Sequence, residues 1–376
     1  MEPQAESKTN KPRVTLWVIV LVLIVAGGFA LFKQEREDEA IKIGVIIPLT
    51  GSLAKVGEDV RAALQIAEAL LDSQDAIELI FEDDAFLPEK SVSAFQKLTS
   101  VDGVDAVIGP LNGSAIEAVR PLALEKKIVA FTPWGAGNRI GGYTIKNSVE
   151  ADEEAHAIAE LATSQFQLKR LAILYLKNEW GLTHARAFET ALKTENVELI
   201  ASEPFDFGTT DYRTQLTKIK AARPDGLFIV NNGAAVGIVA KQARQLGIAA
   251  QLFGQYATES SDLIASGGMD LEGLIYSFPI DESNLSDTQK QFVADFEAKA
   301  GGKPQVAAYN AYDIYAILRS VFKKCGRNNS LCIRDYILGL KEYVGLGGII
   351  SFAEQKLHRE FHFKTIREGQ FMPLAE

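Results

Sequence analysis

The sequence predicts an α/β protein of two Rossmann-like lobes, each a parallel sheet flanked by helices, with one membrane-spanning helix ahead of them. Three observations predict it. Short β-branched runs alternate with amphipathic stretches, the rhythm of a strand, a crossover helix and the next parallel strand. The series begins near residue 41 and restarts near residue 153, in a chain of 376 residues, longer than one hydrophobic core usually needs. Before it, residues 14–32 read VTLWVIVLVLIVAGGFALF with no charge, close to the length that crosses the hydrocarbon of a bilayer.

Taken in order, residues 1–13 form a polar tail carrying Lys8, Lys11 and Arg13, whereas 33–39 hold two basic and four acidic residues. Cationic flanks stay in the cytoplasm, so the tail is cytoplasmic, 33–40 is a linker and the rest lies outside, periplasmic or extracellular. Gly28-Phe29-Ala30 offers a weak cleavage site, but the apolar run is longer than most signal peptides, which favours a retained signal-anchor. No cysteine stands near the end of the run, which excludes a lipoprotein anchor.

Residues 41–47 read as a strand, 60–71 as a helix, 77–82 as a strand, 92–98 as a helix and 104–108 as a strand; 115–126 is helical and 128–131 a strand. The second series has helix 153–166, strand 171–176, helix 182–194, strand 197–202, helix 212–222, strand 226–230 and helix 236–246. Two long helices, 287–300 and 306–324, a short one near 331–340 and a strand-and-turn tail at 347–373 make no domain alone. Assigning the helices to the first lobe and the tail to the second makes the chain cross between lobes several times. The lobes are then 41–150 with 279–345, and 151–278 with 346–376.

Cys325 and Cys332 flank a turn-rich GRNNS stretch. Outside the cytoplasm they form a disulfide or stand as two surface thiols, the first being favoured by the compartment. The net charge of −10, with no Lys/Arg cluster, excludes nucleic acid as a partner. No G-x-S-x-G elbow or G-x-x-x-x-G-K-[ST] loop occurs, and Ile140 takes the third glycine position of a dinucleotide loop that Gly135 would begin. His358-Arg359-Glu360-Phe361-His362 lacks the general-base Glu of a zinc-protease helix and reads as two surface histidines. The Glu82-Asp83-Asp84 run reads as a solvated turn or as one ligand-facing carboxylate at Asp83. No enzyme activity, cofactor or metal is expected.

Open parallel sheets bind ligands beyond the carboxyl ends of their strands, which selects loops 48–55, 83–88, 109–114 and 132–138, and on the other side 177–181, 231–235 and 255–260. Along the chain KIGVIIPLTG (42–51), VIGPLNGSAIEAVRPLA (107–123), VAFTPWGAG (129–137), NEWG (178–181), KQARQLG (241–247) and GLGGIISF (345–352) occur in order. They resemble the periplasmic binding proteins of the branched-chain amino acid (Leu/Ile/Val) type, the ABC-transporter receptors of the type I periplasmic-binding fold. The resemblance covers about 41–371 and implies three interlobe crossovers, hinge closure on a small-molecule ligand, and a permease with its ATPases as partners.

By position in those motifs, the ligand-binding residues of the first lobe are Ser52, Gly113, Ser114, Trp134, Gly135 and Ala136; Ser114 equally reads as a helix N-cap. Those of the second are Asp152, Trp180, Asn232 and Tyr256, with Trp180 as an aromatic lid and Asn231 and Gln255 as further amides. Gly113 and Ala136 replace hydroxyl residues of the amino-acid pattern, and Tyr256 and Ala151 replace acidic ones. A buried ammonium without a carboxylate is costly. The expected ligand is therefore a small neutral or weakly acidic organic solute, amino acid, amide or aromatic in class. A sensor acting through a partner receptor is the competing reading, and an unrecognised enzyme a more distant one.

Overall fold

Strand, helix and next strand return to one sheet only by a crossover of fixed hand, and here the alternation builds two such sheets. The computed structural model describes residues 40–51, 53–71, 77–135, 142–260, 262–327, 329–353 and 356–374. Lys42–Glu376 is one compact unit, and the expected membrane helix at 14–32 lies outside the described residues. Among the described residues, no helix is long and apolar enough to cross a membrane.

The first half contains β1 (Ile41–Ile47), α1 (Ala54–Leu71), β2 (Ile77–Asp83), α2 (Pro88–Lys97), β3 (Ala106–Ile108), α3 (Gly113–Lys126), β4 (Ala130–Thr132) and β5 (Thr144–Lys146). Its strands lie in the order β2-β1-β3-β4-β5, with β1–β3, β3–β4 and β4–β5 parallel. Near-continuous burial of Ile43, Val45, Ile46 and Ile47 fits a sheet covered on both faces.

The second half follows: α4 (Ala151–Glu160), β6 (Arg170–Leu176), α5 (Glu179–Thr194), β7 (Glu198–Phe205), α6 (Arg213–Ala222), β8 (Gly226–Val230), α7 (Gly233–Gln245), β9 (Gln251–Gly254), α8 (Leu263–Gly267) and β10 (Ile275–Phe278). Then come α9 (Asp287–Ala300), α10 (Val306–Cys325), α11 (Ser330–Leu338), β11 (Tyr343–Gly345), β12 (Gly348–Ala353), β13 (Lys356–His358), β14 (His362–Arg367) and β15 (Gln370–Pro373). The second sheet has the order β15-β14-β10-β9-β8-β6-β7. Its β6 to β10 strands pair in parallel, and the tail strands β14 and β15 add antiparallel at one edge.

Both sheets thus repeat one arrangement, with the earliest strand between its second and third partners. The order reverses between β1 and β3 in one and between β6 and β8 in the other, and that switch point is where such sheets open a crevice.

Helices α9 and α10 pack on α1 of the first half, where the Phe292 ring lies 5.2 Å from those of both Tyr309 and Tyr312. The chain therefore passes between the halves at 147–150, at 279–286 and within 339–361. A disulfide joins Cys325 at the end of α10 to Cys332 in α11, with the Cα atoms 5.6 Å apart.

Several elements differ from the sequence expectation. Helices α1 to α5 and α7 begin earlier, because small or polar first turns carry no apolar period; Asn178 Oδ1 caps α5 by accepting the Gly181 N–H at 2.9 Å, which moves Trp180 from a loop into the helix. Strand β4 is shifted to 130–132. Strand β5 is too short to show an alternation, and the three-stranded sheet β11-β12-β13 is assembled from the tail.

Candidate functional site

Two aspartates organise the loop after β2. Asp83 Oδ1 accepts from the N–H groups of Leu49 at 2.8 Å, Thr50 at 3.2 Å and Ala85 at 2.9 Å, and its Oδ2 accepts from Thr50 Oγ1 at 2.6 Å. Burial works to raise this carboxyl, but the bonds from the Thr50 hydroxyl and the three N–H groups outweigh it and hold it at about 2. Asp84 is fully buried and takes the Phe86 N–H and the Ser91 hydroxyl at 2.9 and 2.7 Å; burial pushes its carboxyl up. Asp84 is therefore not a solvated turn group, whereas Asp83 is partly exposed with its carboxylate bonded to the chain.

Their bonds hold Ala85 and Phe86 at φ 47° and 64°, a left-handed backbone that is strained for both residues. Asn112 Nδ2 adds a bond to Phe86 O at 2.9 Å. So restrained, the Phe86 ring stands 6.2 Å from that of Trp134.

Trp134 sits on the loop after β4. The Thr132 hydroxyl lies 2.7 Å from Pro110 O and 2.6 Å from Trp134 O, tying this loop to the one after β3. The two loops touch so closely that a Cβ on Gly135, at φ 123°, would come within 2.8 Å of Leu111 O. Trp134 Nε1 then donates to Tyr256 Oη at 3.1 Å, joining the first half to the second.

Tyr256 follows β9 and is 5 % exposed. Burial, and then the Glu154 carboxylate, push its phenol up, so it remains a neutral hydrogen-bonding group, with Ser148 and Trp134 as its side-chain partners. Glu154 on α4 accepts the Tyr256 N–H at 2.7 Å and the Ser277 hydroxyl on Oε1, and meets His184 Nε2 at 2.9 Å on Oε2. His184, one turn along α5 from Trp180, packs edge-on against that indole with centroids 5.0 Å apart.

Where the chain crosses between the halves, Arg359 donates to Gly347 O at 2.7 Å, to Asn310 Oδ1 at 2.8 Å and to Asn147 Oδ1. Asn310 passes the connection to the tryptophan loop through Pro133 O at 2.9 Å. Asp313, on α10 with Asn310, accepts the N–H groups of Leu346 and Gly347 at 2.6 and 2.8 Å. Burial raises its carboxyl to about 7 against those bonds and the pull of Arg359. Burial also lowers the Arg359 guanidinium to about 10.

Of the residues expected in the site, Trp134 and Tyr256 are brought into contact, and Gly135 supports the first. Ser52 and Ala136 lie outside the described residues. Gly113 and Ser114 form the first turn of α3; the cap is Asn112, whose Oδ1 accepts the Ser114 N–H at 2.9 Å, which corrects Ser114 as the N-cap. Asn232 is exposed at the start of α7. Asp152 is exposed and lines a groove of about 440 Å³ with Glu153, His156, Thr183 and Arg186. The amides of Asn231 and Gln255 are taken by the protein: Gln255 Nε2 donates to Asn231 O at 2.8 Å and Asn231 Nδ2 to Tyr212 Oη at 3.3 Å.

Phe86, Glu154, His184 and Arg359 escaped the sequence reading. Signals existed for two of them: Glu154 falls in step with the buried Ala155 and Ile158, and His184 with the buried Gly181, Ala185 and Phe188. A polar residue on a core stripe demands a partner. Among the described residues, no group of His, Cys, Asp and Glu could hold a metal ion, and His358 pairs with Glu153 at 2.5 Å.

A sequence profile described as periplasmic binding protein matches residues 40–363. The Leu/Ile/Val-binding protein BraC3 of Rhizobium johnstonii is 25 % identical over 322 residues, 83 % of this chain and 86 % of that one. The branched-chain amino acid substrate-binding protein LivJ of Streptococcus pneumoniae, solved with isoleucine, superposes with a TM-score of 0.79 at 21 % identity, over 89 % of this chain and 98 % of that one. A solute-binding protein of an ABC transporter from Rhodopseudomonas palustris, solved with 3,4-dihydroxybenzoic acid, gives a TM-score of 0.79 at 21 % identity, over 89 % and 96 %. These two structural likenesses concern the fold. With the profile spanning both sheets and the crossings between them, the chain belongs to the periplasmic binding proteins, in the type I form of the branched-chain amino acid receptors, a family of solute-binding proteins and not of enzymes.

Proposed function

We propose that this chain is the membrane-anchored, extracytoplasmic receptor of an ABC transporter, and that it closes two lobes on a small planar solute without an ammonium group. The lobes are 41–150 with 279–345 and 151–278 with 346–376. Residues 14–32 anchor them, and a permease with its ATPases receives the solute.

The observation that carries this reading is the contact between Trp134 and Tyr256, backed by Phe86. It lies at the carboxyl ends of the strands, where sheets of this order take ligands. Aromatic faces from Phe86, Trp134, Tyr256 and Trp180 suit a flat apolar body. The acidic residue that would take an ammonium is replaced by Tyr256, while the nearby Glu154 has both oxygens engaged within the protein. The R. palustris relative, solved with 3,4-dihydroxybenzoic acid, supports an aromatic acid as the class. Ser52, Gly113, Ser114, Gly135, Ala136, Asp152 and Asn232 complete the proposed set.

The test is a thermal-shift panel on the chain with aromatic acids, amides, amino acids, nucleosides and sugars. A ligand of the folded state at 100 times its Kd adds about 2.7 kcal/mol of stability. Stabilisation by an aromatic acid or amide supports the reading; stabilisation by leucine or valine alone overturns it.

A further inference from the structure

His184 and Glu154 are 1 % and 0 % exposed, and the hydrogen bonds between them require a proton that a neutral imidazole facing a carboxylate does not have. His184 Nδ1 lies 2.9 Å from Trp180 O, and Nε2 lies 2.9 Å from Glu154 Oε2. A carbonyl oxygen only accepts, and so does a carboxylate, whereas a neutral imidazole carries one N–H. Both contacts are satisfied only when one additional proton sits between Nε2 and Oε2. The other carboxylate oxygen is already filled by the Tyr256 N–H and the Ser277 hydroxyl.

We infer that this proton-loaded pair is a brace that positions the aromatic walls of the cleft. Glu154 fixes Tyr256 through its backbone, and His184 fixes Trp180 through its carbonyl and its ring face. The two braced residues come from different strand ends of the second sheet, so one buried bond sets the distance between them. Loss of the proton leaves a ring lone pair facing either Glu154 or Trp180 O. The ring then turns, and the indole packed on it moves with it. Both residues act through others and are positioning residues.

The groups that bias the proton are few. Tyr256 lies between Glu154 and Arg359 and feels both. On α4, Glu153 pairs with His358 and His156 faces the outer groove. On α5, Glu179 and Arg186 are exposed. Strand β10 presents the uncharged Ser277, with Tyr276 on its opposite face.

The inference rests on the proposed cleft for its meaning, but its test needs no ligand, so the two fail separately. The chain has three tryptophans; replacing Trp17 and Trp134 by Phe in the full-length protein leaves Trp180 as the reporter. A protonated imidazole against an indole quenches it, so His184→Gln in this background should lift the Trp180 emission roughly twofold. If that protein does not fold, Glu154→Gln, which removes the carboxylate that holds the proton on the ring, carries the same expectation. Emission that is the same with and without the pair overturns the inference.

Discussion

Trp134 Nε1 and Tyr256 Oη meet at 3.1 Å, and they are the side chains through which the strand ends of the two sheets touch. Tyr256→Phe keeps the ring and removes the acceptor, and Trp134→Phe leaves a smaller ring and removes the donor. A neutral hydrogen bond of this kind contributes about 0.5–1.5 kcal/mol. A double-mutant cycle of Trp134→Phe and Tyr256→Phe, read by chemical denaturation, should therefore give a coupling in that range. Additive losses would mean that the halves are held together elsewhere.

Asp313 makes the stability of the fold sensitive to pH. Its carboxyl is raised from the ordinary 3.8 to about 7 by burial, so its contribution is complete below the ordinary carboxylate value and is lost as pH rises through 7. Between pH 5 and 8.5 the wild-type protein should lose about 2–3 kcal/mol that Asp313→Asn does not lose. Parallel stability curves for the two proteins would contradict this.

The loop bearing Phe86 should loosen when its acceptor goes. Asp83→Ala leaves the N–H groups of Leu49, Thr50 and Ala85 without their carboxylate, a loss of about 1–3 kcal/mol. It should also lower ligand affinity, because Ala85, next to Phe86, and the Thr50 loop lose their common anchor. A thermal midpoint equal to that of the wild type would show that water replaces Asp83.

At the third crossing, a Cβ on Gly345 would lie 2.4 Å from Asp313 Oδ2. Gly345→Ala should cost about 1–3 kcal/mol through displacement of Asp313 from Leu346 and Gly347, and Gly345→Ala with Asp313→Ala should recover part of that loss. No recovery in a denaturation series would place the strain elsewhere.

Much of this was legible before any coordinates. Alternating strands and helices, the restart near residue 153 and the late helices are patterns of period and length, and such patterns survive in one dimension. Trp134 and Tyr256 stand on loops at the carboxyl ends of strands, a position legible from the strand pattern, and the structure brings the two into contact. The network beneath them was not. Glu154 joins Tyr256, Ser277 and His184, which lie 102, 123 and 30 residues away; its place on a buried stripe calls for a partner, but nothing local in an ADEEA helix start says which. Asn231 and Gln255 show the converse: their amides suited a ligand by type, but a buried loop backbone took them first. Phe86 was hidden because its placement depends on a left-handed backbone held by two aspartates.

A cleft built for a flat solute without an ammonium is tested most directly by titration calorimetry of the chain with benzoate and with L-leucine under identical conditions, and again with Trp180→Ala. Benzoate should give heat and leucine none, and the affinity for benzoate should be at least about tenfold weaker without Trp180. Tight binding of leucine with none of benzoate, or an affinity indifferent to Trp180, would contradict it.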